Sequence, residues 1–170
     1  MQTKKRHPWI ALINVLLFFT VFIIHYTDII DISIKNANPL IILPLITAFS
    51  MFSQPGAAAA AGLASGVLMD SSASGAICFN AIVIMLSAVC VSVCSNNLFN
   101  RNIRSAVMLS VLISLIYFLL RWVIFYAFKN GAHDNLTYIL SYAFPSILYT
   151  NLFIFPFYFL YRYFDKRINS

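Results

Sequence analysis

The chain has 170 residues, 61% of them hydrophobic and only 9% charged. Soluble domains carry roughly a quarter charged residues, so this composition excludes a soluble globular domain and points to an integral membrane protein. The net charge of +6 does not imply a nucleic-acid partner. Its basic residues stand at the ends of apolar segments, the arrangement of topology signals and of contacts with anionic membrane lipid.

A spanning helix needs about 20 mostly apolar residues, and six apolar segments follow one another, at about 9–27, 39–53, 57–69, 76–95, 105–128 and 137–161. The first follows Lys4, Lys5 and Arg6. Its apolar core exceeds a signal-peptide h-region and no A-x-A-like site follows, so it reads as an uncleaved anchor. The second and third, "PLIILPLITAFSMFS" and "AAAAAGLASGVLM", are split by Gln54-Pro55-Gly56. Each is shorter than a full span, which leaves two short helices or one broken helix. The fourth holds Cys78, Cys90 and Cys94. An odd number of cysteines inside an apolar segment argues against a disulfide framework and for small packing residues. The fifth is the longest uninterrupted run, and the sixth carries Pro145 and Pro156, expected to kink it.

Loop charge selects the topology. With six spans, the N-terminus, the 96–104 loop and the C-terminus share one side, with Lys4, Lys5, Arg6, Arg101, Arg104, Arg162, Lys166 and Arg167, against Lys35 and Lys129 opposite. Five spans would put most of these cations across from the N-terminus, against the positive-inside bias. The expected fold is therefore all-α: a single membrane domain over residues 1–170, with six transmembrane helices and both termini cytoplasmic. Asp28, Asp31, Asp70, Asp134, His25 and His133 then fall at or near the outer face.

The third segment carries Gly62, Gly66 and Asp70 at four-residue spacing, on one helix face. Small residues so spaced let two helix backbones approach closely in lipid, within the bundle or with a partner's helix, and Gly75 follows on the way into the next helix. A carboxylate near a helix C-terminus opposes the macrodipole. Asp70 is thus expected either to cap the following helix or to pair with a cation. The intramembrane cation is Arg121, on a stripe with Ser110, Ser114 and Tyr117. Charged side chains at such depth usually face the bundle interior and find a partner, here Asp70 or Asp28. Asn80, Ser87 and Cys94 form a second polar stripe, and Asn151 sits within the last span. Together Asn80, Ser87, Ser110, Ser114 and Asn151 read as an intramembrane polar seam of interhelical hydrogen bonds.

Catalytic motifs are missing: the sequence has no H-E-x-x-H, P-loop or G-x-S-x-G. "LASG" lacks the first glycine of the rhomboid-type protease motif, and no later span supplies a histidine base. Cys90 and Cys94 have no histidine on their side of the bundle to complete a metal site. His133 with Asp134 reads as a polar loop rather than an acid–base pair. The expectation is a protein without enzymatic activity, cofactor or metal.

The basic start, Pro39 opening the second span, "GLASGVLMDSSASG" and "YTNLFIFPFYFLYR" resemble the rod shape-determining MreD family. The resemblance implies a six-helix fold similar to the S components of energy-coupling factor transporters. It implies a scaffold or regulatory subunit of the cell-wall elongation complex in the bacterial cytoplasmic (inner) membrane, supporting peptidoglycan synthesis and rod cell shape. The implied partners are MreC, RodA and a class B penicillin-binding protein, with MreB filaments reached indirectly. The alternative it raises is a substrate-binding S component of a vitamin uptake transporter. The bulky first span and the small-residue third span favour the elongation reading over that alternative.

Overall fold

The computed structural model describes residues 16–23, 40–72, 78–97, 102–124 and 144–169. Among them there is no strand. A helical segment at 16–23 is followed by six helices: α1 Ile42–Met51, α2 Pro55–Ser72, α3 Phe79–Asn97, α4 Ile103–Trp122, α5 Phe144–Leu152 and α6 Ile154–Asn169. Two of these, α3 and α4, are long and apolar enough to cross a membrane. Gly75, Asp28, Asp31, His25, His133, Asp134, Lys35, Lys129, Arg101 and Pro39 lie outside the described residues.

Proline placement explains the helix boundaries. Pro55 opens α2, the first helical position, where the missing N–H has no intrahelical partner to lose. The residue before a proline is pushed out of the helical region, so the chain breaks over Phe52–Gln54. The second and third apolar segments are thus two helices, α1 and α2, that pack on each other. Pro156 falls in the first turn of α6 and cannot donate to Leu152, which ends α5. Pro145 likewise lies at the start of α5. These prolines begin helices; the expected kink within one span is a break into two.

Helix α1 has ten residues, a rise of about 15 Å, and every one of its side chains is buried. That is about half the hydrocarbon thickness of a bilayer, a length suited to a core or re-entrant segment. It sits in the middle of the bundle, against α2, α3, α4, α5 and α6. The amide of Leu40, just ahead of the helix, is taken by α5: Leu40 N donates to Thr150 Oγ1 at 3.1 Å. Its last carbonyl, and that of Ser53 in the break beyond it, are taken by α3. Ser95 Oγ donates to Met51 O at 3.1 Å, and Ser92 Oγ donates to Ser53 O at 2.7 Å. Backbone groups enclosed by other helices have no water, so such partners are what permits a helix to start and stop inside a bundle.

The tightest packing is α2 on α3. A Cβ at Gly62 would meet Ala88 Cβ and Met85 Cα, each at 2.9 Å. A Cβ at Gly66 would collide with Ala81 Cα and stand 2.6 Å from Asn80 O. Both glycines therefore serve contact inside the bundle. Helix α4 buries Ala106, Leu109, Ser110, Ile113, Ser114, Tyr117 and Phe118 on one face. Met108, Leu112, Leu115, Ile116 and Leu119 remain exposed on its other side. A helix with an apolar outer face of this extent is fitted to lipid rather than water.

Ring contacts orient the last helix. Phe52 meets Tyr158 and Phe49 meets Tyr161, each pair with centroids 5.7 Å apart. The second half of α6 therefore lies at the same end as the close of α1 and the C-terminus of α3.

Thermal melts in detergent check this packing. Gly66→Ala should unfold or severely destabilise the protein. Gly56→Ala, where a Cβ meets nothing within 4 Å, should leave the melt unchanged or raise stability by up to about 1 kcal/mol. Cys78 holds φ at 62°, a left-handed conformation costly for any residue with a Cβ. Cys78→Gly should therefore stabilise by about 1 kcal/mol, and a lower melting temperature would contradict the strain.

Candidate functional site

One interhelical polar network lies at the end of the bundle opposite the α1–α2 break. Asp70 stands in the last turn of α2, where its own helix dipole disfavours it. Its carboxylate instead covers the start of α3, accepting from Asn80 N at 3.1 Å and from Ala81 N at 2.9 Å. Those amides belong to the first turn of α3, whose N–H groups have no intrahelical acceptors. The hydrogen bonds are those of an N-cap, delivered by a side chain from the preceding helix rather than from the cap position. Gly66, one turn earlier on the same face, makes the reach short, because no side chain separates the backbones there.

Asn80 carries the connection onward. Its Oδ1 accepts from the Tyr117 hydroxyl at 2.6 Å. Tyr117 is buried, with its ring beside Phe79 and Phe118. One carboxylate, one amide and one phenol thus join α2, α3 and α4 in sequence. Arg121 is half-buried one turn beyond Tyr117, in the last turn of α4.

Other members of the expected seam are not drawn into this network. Ser110 and Ser114 are buried on α4, and no partner lies in reach of either Oγ among the described residues. Asn151 spends its amide on its own helix, donating from Nδ2 to Ile147 O at 2.7 Å. Ser87 is only half-buried. The second interhelical polar cluster lies elsewhere, at Ser92, Ser95 and Asn96. There Asn96 Nδ2 donates to Ser92 Oγ at 3.3 Å beside the Ser53 carbonyl. Its signal in the sequence is the i, i+3, i+4 spacing of three small polar residues at the end of an apolar helix.

The hydrogen bonds of this network run between helix ends and helix faces. Both Asp70 oxygens are occupied by backbone amides, and the Tyr117 hydroxyl donates to an amide oxygen. Cys78 and Cys90 are exposed free thiols and Cys94 is half-buried. No group of three His, Cys, Asp or Glu side chains with metal-site geometry occurs among the described residues.

The matching family model is EMC6, over residues 49–126, a little under half of the chain. That segment runs from the end of α1 through α4 and contains the whole Asp70–Asn80–Tyr117 network. Comparison with curated proteins and with solved structures gave no match. The EMC6 match overturns the resemblance to MreD. With it fall the cell-wall elongation and peptidoglycan role, the partners MreC, RodA, the class B penicillin-binding protein and MreB, the bacterial inner-membrane location, and the vitamin-transporter alternative. The physical reason is visible in the packing. The Gly62-x-x-x-Gly66-x-x-x-Asp70 pattern that carried the resemblance is a general solution for close helix contact and capping, so it does not distinguish one helical membrane family from another.

Asp70→Ala should destabilise by about 1–2 kcal/mol, since it frees two first-turn amides. Tyr117→Phe should cost about 1 kcal/mol by leaving the Asn80 oxygen unpaired. A cycle of Tyr117→Phe with Asn80→Ala should show coupling above about 0.5 kcal/mol, and additive losses would refute the contact.

Proposed function

We propose that this chain is a non-enzymatic integral subunit of a multi-protein membrane complex, held together by the α2–α3 contact and the hydrogen bonds that join α4 to it. The observation that carries this reading is that the EMC6-like segment contains the close α2–α3 contact and the Asp70–Asn80–Tyr117 hydrogen bonds that link α4 to it. EMC6 is a subunit of the membrane protein complex of the endoplasmic reticulum, and the proposal places this chain in a comparable assembly in that membrane. The polar side chains of the centre support a scaffolding role, because they are spent on helix ends and on one another. The full topology belongs to the same proposal: six apolar segments of alternating direction, α1 being a short one enclosed by the others, with both termini on the cytoplasmic side and basic residues concentrated there.

The test is purification of the tagged full-length chain from its native membrane in mild detergent, with fractionation of the membranes and mass spectrometry of the eluate. The expected result is recovery from the endoplasmic reticulum in a defined complex with other membrane proteins at fixed stoichiometry. A chain that elutes alone, at the mass of one copy plus detergent, overturns the reading.

A further inference from the structure

Helix α6 presents two different sides. Tyr158 and Tyr161 are buried against Phe52 and Phe49 of the α1 end. Phe155, Phe159, Arg162, Tyr163 and Lys166 are exposed. These five recur at offsets of four, seven, eight and eleven, which places them on one face of the helix. The face is graded along its length, with two aromatic rings at the start and two cations at the end. From Phe155 to Lys166 the rise is about 16 Å, comparable to the hydrocarbon depth of one leaflet.

We propose that this face of α6 binds an anionic phospholipid, with the headgroup phosphate on Arg162 and Lys166 and the acyl chains along Phe159 and Phe155. The Arg162 guanidinium lies over the Tyr158 ring, 5.9 Å from the centroid. That cation–π contact limits the conformations of a long side chain while leaving its planar fork available. Tyr163, at the level of the cations, has the amphipathic ring suited to headgroup depth. Charge complementarity selects an anionic lipid over a zwitterionic one. The same end of the bundle carries exposed Arg104 in the first turn of α4, and Asp165 is the one carboxylate at that end among the described residues. The face lies outside residues 49–126, so the similarity to EMC6 does not bear on it.

The test uses the purified full-length chain in detergent micelles with equal amounts of phosphatidylserine and phosphatidylcholine, and native mass spectrometry to count retained lipid. The wild-type chain should retain phosphatidylserine in preference. R162Q and K166Q should each reduce that preference roughly fivefold, the effect of one cation near a lipid surface. Phe159→Ala should weaken retention of both lipids. Equal retention of the two lipids by the wild-type chain, or an undiminished preference in both variants, would overturn the proposal. So would full displacement of the lipid by soluble glycerol phosphate, which would assign the cations to a free phosphate instead.

Discussion

The close contact of α2 with α3 at Gly66 is the constraint from which the rest of the bundle takes its form. Between helices in lipid there is little hydrophobic driving force, so association depends on packing distance and on hydrogen bonds. At Gly66 the two backbones come so near that even a methyl group would strike Ala81. This approach sets the height of α2 against α3. One turn on, the Asp70 carboxylate then falls within reach of the Asn80 and Ala81 amides. The register fixed there positions Asn80 for Tyr117 and so ties α4, which packs chiefly on α1, α5 and α6, to the α2–α3 pair.

Helix α1 poses the opposite problem. It is too short to present both ends to water and is enclosed by other helices, so its terminal backbone groups need protein partners. They are supplied from distant parts of the chain: Thr150 at its start, and Ser95 and Ser92 around its close. The hydroxyls of α3 therefore serve the helix break rather than a polar line through the bundle. Helix α3 is pinned at both ends, by a carboxylate at its first turn and by the α1–α2 junction at its last. That explains why the densest packing in the molecule is centred on it.

Several residues showed their helix face in the sequence. The spacing of Gly62, Gly66 and Asp70 put them on one helix face, but left open whether the close contact lay within the bundle or with a partner, and whether Asp70 capped a helix or paired with a cation. The solvent was plain, since a chain this poor in charge can bury its surface only in lipid. Other patterns were ambiguous for a stated reason. Pro145 and Pro156 read as kinks, but a proline at a helix start and one inside a helix look alike until the boundary is known. Serines within apolar helices read as interhelical partners, yet Ser110 and Ser114 have none among the described residues, while Ser92 and Ser95 cap a break. The family resemblance failed for the same cause: a spacing that suits close packing in any helical membrane protein carries little information about which protein it is.

The sequence by itself determined the membrane as solvent, the apolar segments and the face on which each small or polar residue lies. These are local properties, set by composition and by the 3.6-residue period of a helix. The tertiary structure decided which groups meet. The hydrogen bond from Tyr117 to Asn80 joins residues 37 apart, and that from Ser95 to Met51 joins residues 44 apart. Whether such pairs form depends on the rotation and vertical offset of one helix against another. No single helix encodes that quantity; it is fixed here where two glycines let α2 and α3 close together.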